Sequence, residues 1–328
     1  MPVVPLLPVR RVIRDVRIFV PGRRIVLGTR GSKLALRQSM MVKEMLESAW
    51  EGLEVELSII KTTGDKITDV PLARIGGKGL FVKEIEEALL AGSIDLAVHS
   101  MKDVPGDLPP GLVIGAVPKR EDPRDVMVSG SFKSIASLPE GAVIGTSSLR
   151  RTVQIKRLRP DLRIEILRGN LDTRLKKVHD GLFDAAILAA AGIHRMGWQD
   201  VITEYLDPNE FIPAVGQGAL GIEIRENDAF MFELVSRIHD ESTAVAVQAE
   251  RSFLRELEGG CQVPIGCHCF IENGAIRIVG MIASLDATVV IRDELTGSPD
   301  EAESLGRMLA RELRKRGGDD ILRAVYGK

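Results

Sequence analysis

The chain has 328 residues, 45% of them apolar and 27% charged, with a formal net charge of −2. That is length for about two or three domains with a buried core, and it gives no general drive toward nucleic acid or an anionic membrane. Aromatic residues make up only 4% of the chain, and the three cysteines all fall between 261 and 269, so base-stacking platforms are scarce and no disulfide framework exists. No apolar run approaches the roughly 20 residues of a membrane helix, and a reducing, cytoplasmic setting is expected.

The first 24 residues carry six arginines and one acid. They lack the serines and the small-residue cleavage pattern of a targeting peptide, and read as a basic N-terminal extension. From Ile25 onward, short β-rich runs alternate with helical ones, which predicts an α/β protein with largely parallel sheets. Strands are expected at RIVLGT, LEVELSII, IDLAVHS, LVIGAV, DVMVS, AVIGTS, RIEILRG, FDAAILAAAG and LGIEIR. Between them SKLALRQSMMVKEMLESAW, LFVKEIEEALLAG and LDTRLKKVHDG repeat apolar residues at helical spacing.

Two stretches look like weak copies of one another. LGT at 27–29 leads into a serine-started helix and later AGSIDLAVHS, while IGT at 144–146 leads into SSLRR and later DGLFDAAILA. Two related α/β domains follow from this. The first copy is longer around DKITDVPLARIGGKGLF, which reads as a loop of the kind that serves as a lid. It is not a phosphate loop, because Leu72 and Gly79 stand where that motif needs Gly and Ser or Thr. KREDPRD, Lys119 to Asp125, reads as a hinge. After HDESTA come three further strand-like runs and a closing helix, SPDEAESLGRMLARELRKRGG, with Ser298 as its N-cap.

Ligands of open parallel sheets bind at the carboxyl ends of strands, so His99 to Asp103 in VHSMKDVP is a place for a site; a surface ion pair between Lys102 and Asp103 is the plainer reading. Arginines collect at the same kind of position. Arg30 and Arg150–Arg151 follow Gly-Thr strand ends, Arg168 and Arg174 lie in LRGNLDTR, and Arg195 follows AAAGIH. Guanidinium groups bind carboxylates bidentately, and a helix start such as Thr146-Ser147-Ser148 adds N–H donors. A substrate bearing several carboxylates or phosphates is implied. Cys261, after Gly259 and Gly260 at the end of AVAVQAERSFLRELE, either fills a core gap or is held out on a turn as a reactive thiol. Cys267, His268 and Cys269 match no usual zinc spacing, and no GxSxG is present.

The ordered segments TRGSKLAL, GGKGLFVKE, DLAVHSMKDVP, KREDPRD, GTSSLRR, LRGNLDTRL, PAVGQGALGIE and LEGGCQVPIG resemble the porphobilinogen deaminase, or hydroxymethylbilane synthase, family from about Ile25 to the C-terminus. The resemblance implies three α/β domains, the first two similar to type II periplasmic-binding-protein domains and the third a small sheet packed with helices. The boundaries it suggests are 25–118 with 219–236, then 123–213, then 241–328. It implies a transferase of tetrapyrrole and heme biosynthesis. Four porphobilinogen molecules condense with loss of ammonia onto a dipyrromethane cofactor, through an azafulvenium-like cation, before hydrolysis releases hydroxymethylbilane.

By matching motif, Cys261 is the thioether anchor of the cofactor and Asp103 the catalytic carboxylate. Lys102, Thr146, Ser147, Ser148, Arg150 and Arg151 are candidates for holding the cofactor, and Arg30, Ser32, Arg168, Arg174, Arg195 and Gln217 for the substrate. Lys78 and Phe81 fall in the family's lid. A cytoplasmic monomer is implied, without nucleic-acid, membrane or metal partners, handing its product to a tetrapyrrole-cyclising enzyme. The basic extension and the CHC at 267–269 depart from the family pattern. The alternative, from a different class, is a non-catalytic carboxylate-binding protein of periplasmic-binding type, which leaves the cysteine turn without a role.

Overall fold

In a computed structural model of the chain, Val20 and residues 22–66, 82–258 and 263–326 are described. They divide into two compact units, the first formed by residues up to 120 with 219–244, the second by 121–218 and 245 onward.

The first unit holds a five-stranded sheet in the order β2-β1-β3-β10-β4: β1 (Arg24–Thr29), β2 (Glu54–Ile59), β3 (Leu96–Ser100), β4 (Leu112–Ala116) and β10 (Leu220–Arg225). β1 runs parallel to β2 and β3, and β10 is antiparallel to both of its neighbours. Ser32 caps α1 (Lys33–Ala49) by accepting from the Ala35 N–H. After the single turn α2 (Thr63–Lys66), α3 (Lys83–Leu90) lays Ile85 and Leu89 on Ala97 and Leu112 of the sheet, and α7 (Ala229–Ser236) covers Ile222 and Ile224 with Met231, Leu234 and Val235.

The second unit repeats the scheme as β7-β6-β8-β5-β9, from β5 (Asp125–Val128), β6 (Val143–Gly145), β7 (Arg163–Glu165), β8 (Ala185–Ala189) and β9 (Ile202–Tyr205). β6 is parallel to β7 and β8, while β5 is antiparallel to its neighbours. Both sheets thus carry one reversed strand in the fourth place, where largely parallel sheets were expected, and the sequence echo between the two Gly-Thr strands reflects a real structural repeat. Two expectations need correction. FDAAILAAAG is not strand throughout, because it leaves the sheet after Ala189 and turns into the helix α6 (Ala190–Arg195); a continuous apolar run does not separate strand from buried helix. β9 was not expected, since ITEY lacks clean alternation.

The same unit contains the antiparallel sheet β11-β12-β13: β11 (Ile265–Glu272), β12 (Ala275–Ala283) and β13 (Val290–Gly297). Its core is Phe253 from α8 (Glu241–Glu256), Cys267 and Cys269, Ile276 and Ile278, and Leu305, Leu309 and Leu313 from α9 (Ala302–Leu313). Ser298 caps the 3-10 turn that opens into α9, with Glu301 completing a capping box. The chain then kinks at Gly317, φ 108°, and adds α10 (Asp319–Tyr326) beyond the helix expected to close it. Residues 212–217 seam the small sheet to the larger one. Cys267 N–H donates to Pro213 O at 3.0 Å, Gly216 N–H to Glu250 Oε2 at 2.7 Å, and Ile212 packs among Val153, Val279 and Met281.

Candidate active site

In the first unit β1 and β3 lie side by side in parallel, so their carboxyl ends share one edge. Beyond β3 the chain makes a 3-10 turn, Met101–Asp103. Met101 is buried, and its N–H donates to Ala219 O at 3.0 Å, while Val104 N–H closes the turn on Met101 O at 3.1 Å. With the turn pinned from beneath, Lys102 is half-buried and Asp103 exposed. Beyond β1, Arg30 is half-buried and Ser32 is the helix cap. The structure therefore brings Arg30, Ser32, Lys102 and Asp103 to the carboxyl edge of two adjacent strands.

The second unit gathers its residues around one that sequence reasoning passed over. Asp125 opens β5 and is wholly buried. Its Oδ2 accepts from Arg150 Nη1 at 2.7 Å; its Oδ1 accepts from Arg151 Nε at 2.9 Å, Arg151 Nη2 at 2.7 Å and Gln217 Nε2 at 3.0 Å. Carbonyls take further hydrogens: Ile212 O from Arg150 at 2.7 Å, Ile187 O from Arg151 at 2.9 Å, and Pro123 O from Gln217 at 2.7 Å. Burial pushes the Asp125 carboxyl up, but the charges of Arg150 and Arg151 outweigh it and hold it down to about 2. Both guanidinium groups are buried with it. One carboxylate against two guanidinium groups leaves a positive excess inside the protein.

The other predicted residues surround the same strand ends. Thr146 N–H donates to Glu165 O at 3.0 Å, and its Oγ1 accepts from Ser148 N–H at 3.2 Å. Ser148 caps α4 (Leu149–Leu158), and the exposed Ser147 donates to Leu167 O at 2.7 Å. Arg174, in the first turn of α5 (Leu171–His179), reaches back from Nε to Gly169 O at 2.7 Å, and Arg168 is half-buried beside it in sequence. Arg195 ends the helix α6 rather than a strand; its Nη2 donates to Gly218 O at 2.6 Å. Burial pushes Arg195 down to about 10, opposed by the charge of Glu121, so it stays a cation at neutral pH.

Asp125 was hidden in KREDPRD, which reads as a hinge. The available signal was two consecutive arginines in the first turn of a helix that has to pack on a sheet, because neither is buried there without an acid. Cys261, Lys78 and Phe81 lie outside the described residues. After α8, Glu258 takes a left-handed conformation, φ 50°, and Gly259 and Gly260 of the expected helix stop lie outside the described residues.

The donor set fits a carboxylate-bearing cofactor. Arg150 Nε is buried and has no hydrogen-bond acceptor among the described residues, and a buried N–H without an acceptor is costly unless a ligand supplies one. Residues 25–233 match the family described as porphobilinogen deaminase, dipyromethane cofactor binding domain, and residues 244–315 match porphobilinogen deaminase, C-terminal domain. The chain is 59% identical over 304 residues to the porphobilinogen deaminase of Syntrophobacter fumaroxidans, covering 93% of this chain and 98% of that one. It is 51% identical over 303 residues to that of Geobacter sulfurreducens, covering 92% and 95%. The solved structure of the methionine-binding protein MetQ aligns at 15% identity with a TM-score of 0.42 over 69% of this chain and 93% of that one, too slight a likeness to argue from. Matched by two family domains in order and by relatives along nearly their whole length, the chain belongs to the porphobilinogen deaminase family.

Proposed function

We propose that the chain is a hydroxymethylbilane synthase. It joins four porphobilinogen molecules head to tail onto a dipyrromethane held through a thioether to Cys261, with loss of ammonia at each addition, and releases hydroxymethylbilane by hydrolysis. The activity rests on one observation, the 59% identity that spans 98% of a porphobilinogen deaminase. When bound, the dipyrromethane supplies the pyrrole end on which the product grows.

The residues of the chain divide the remaining work. Asp103, exposed on a turn fixed by Met101, accepts hydrogen bonds from pyrrole N–H groups and stabilises the positive charge that develops as ammonia leaves. Arg150 and Arg151, held in place by Asp125, direct their remaining N–H groups at cofactor carboxylates, with Lys102 and the Thr146–Ser148 helix start as further donors. Arg30, Ser32, Arg168, Arg174 and Arg195 take the acetate and propionate groups of incoming substrate. Gln217, whose amide nitrogen is engaged by Asp125 and Pro123 O, contributes by holding that arrangement. Lys78 and Phe81 belong to a lid over the substrate.

Among the described residues no helix is long and apolar enough to cross a membrane. A cytoplasmic monomer passing hydroxymethylbilane to a tetrapyrrole-cyclising enzyme is part of the same proposal. A carboxylate-binding protein without catalysis is not favoured, because it leaves the family's cofactor domain without a use. The test is the intact mass of the purified chain beside Cys261→Ser. Wild type heavier by one dipyrromethane, with the increment lost in the variant, supports the anchor; an unmodified wild type that stays unmodified after adding porphobilinogen refutes it.

A further inference from the structure

Beneath the Asp103 turn the first unit buries three titratable groups that the reaction does not use. Residues Ala97 and His99 on β3 and Gly221 and Glu223 on β10 alternate onto one face of the sheet, with Glu223 opposite Ala97 and Gly221 opposite His99. That face is covered by α3, whose Ile85 and Leu89 pack on Ala97. His99 Nε2 lies 2.8 Å from Glu223 Oε2, and the two residues are 5% and 1% exposed. The other oxygen, Glu223 Oε1, is buried with no donor among the described residues. Glu86, also buried, lies on α3 next to Ile85 and one turn before Leu89, the two residues that pack on Ala97 directly across from Glu223. Burial pushes the Glu86 carboxyl up to about 7; the Glu223 charge adds to this and His99 opposes it.

An acceptor that lacks a hydrogen and a neighbouring acid that keeps one are two halves of a single hydrogen bond. We propose that Glu86, Glu223 and His99 form a proton-sharing cluster in which Glu86 donates to Glu223 Oε1 while His99 Nε2 donates to Glu223 Oε2, so that α3 and the β3–β10 pair are clamped behind Asp103. Protons balance without any co-reactant: one carboxylic acid, one carboxylate and one imidazole N–H. The position matters because the turn is tethered to the same strand pair, Met101 N–H donating to Ala219 O just ahead of β10. Glu86 is a positioning residue, and that part of the inference rests on Asp103 being the catalytic carboxylate.

Other charges near Glu86 are few. On its own helix are Lys83, which pairs with Glu87, and Glu84, which accepts from Thr63. At the far end of α3, Arg225 of β10 donates to Leu89 O and Ile94 O and pairs with Asp95 and Asp228. β4 brings no charged residue to this face, and β1 brings Arg24 at its first residue, where it pairs with Glu56 of β2.

The test uses the full chain carrying its cofactor. With glutamate labelled at the carboxyl carbon, the resonance lost in Glu86→Gln should titrate about two pH units above ordinary glutamates; ordinary titration overturns the cluster. Because the folded value lies above the ordinary 4.5, the contribution of Glu86 to stability is whole below about pH 4.5 and is lost as pH rises through about 7. The Tm margin of Glu86→Gln over wild type should therefore widen across that window and then level, and a margin that does not change with pH also overturns the cluster. At a pH where Glu86 keeps its proton, Glu86→Ala should lower kcat about tenfold at nearly constant KM, and Glu86→Gln, whose amide can donate, should recover to within about twofold. No loss in the alanine variant, or equal loss in both, overturns the positioning role. Near-normal turnover in Asp103→Asn would remove the catalytic assignment alone, and the carboxyl titration and thermal measurements still judge the cluster.

Discussion

Replacing Asp125 with asparagine takes one charge out of the second unit and leaves two buried guanidinium groups facing an amide. Four hydrogen bonds end on this carboxylate, three of them from guanidinium N–H groups at 2.7–2.9 Å. Holding the carboxyl at about 2 against an ordinary 3.8 corresponds to about 2 kcal/mol in favour of the ionised folded state. The substitution costs more than that, because it strands the arginines, and removing one partner of a buried ion pair costs about 3–5 kcal/mol. Against a total stability of roughly 5–15 kcal/mol the variant is close to the threshold of folding. The chain has two tryptophans, Trp50 in the first unit and Trp198 in the second, packed against the β5–β8 core. Urea unfolding followed by Trp198 fluorescence in a Trp50→Phe background therefore reads the second unit. The Asp125 contribution is present above about pH 4 and is lost as pH falls through about 2, so wild type and variant should converge in acid. A loss below about 1 kcal/mol, or a gap that persists at pH 2, refutes the reasoning. Asp125→Leu combined with Arg150→Met and Arg151→Met should recover much of the stability yet fail to retain the cofactor mass.

Asp103→Asn should leave stability within about 0.5 kcal/mol, since the side chain is exposed, and keep the cofactor increment. Its turnover of porphobilinogen should fall by about 10²–10³-fold, read by ammonia release. Gly218→Ala puts a side chain at φ 89° against the Glu121 carbonyl; a loss of about 1–3 kcal/mol in urea unfolding is expected, with weaker cofactor retention because Gln217 precedes it. At Gly306, α9 crosses α8 so closely that a Cβ collides with Ser252 and the Ala249 carbonyl, so Gly306→Ala should lower the Tm of the second unit by several degrees.

The helical and strand periods were legible wherever a segment meets the core on one face. α1, α3 and α5 stand within the runs predicted for them, as do the strands from RIVLGT to LGIEIR. The reading failed at Ala190–Arg195, where apolarity is continuous on either side of a strand end, and at Ile202–Tyr205, an edge strand with a mixed face. Lys102 and Asp103 were legible as a strand-end pair because a proline and a turn follow them. Arg150 and Arg151 were legible as cations but not as partners of Asp125, since 25 residues separate that pairing in the chain.

The sequence by itself determined the family, the alternation of strand and helix, the doubled Gly-Thr strand end and the strand-end placement of the arginines, because these depend on local chemistry and residue order. Which of those arginines turn inward, and which buried acid receives them, was decided only by tertiary structure. The reversed fourth strand of each sheet sets Asp125 beside Arg150 and Arg151, and Glu223 beside His99. A charge is buried only where folding supplies its counter-charge, and that partner comes from distant parts of the chain.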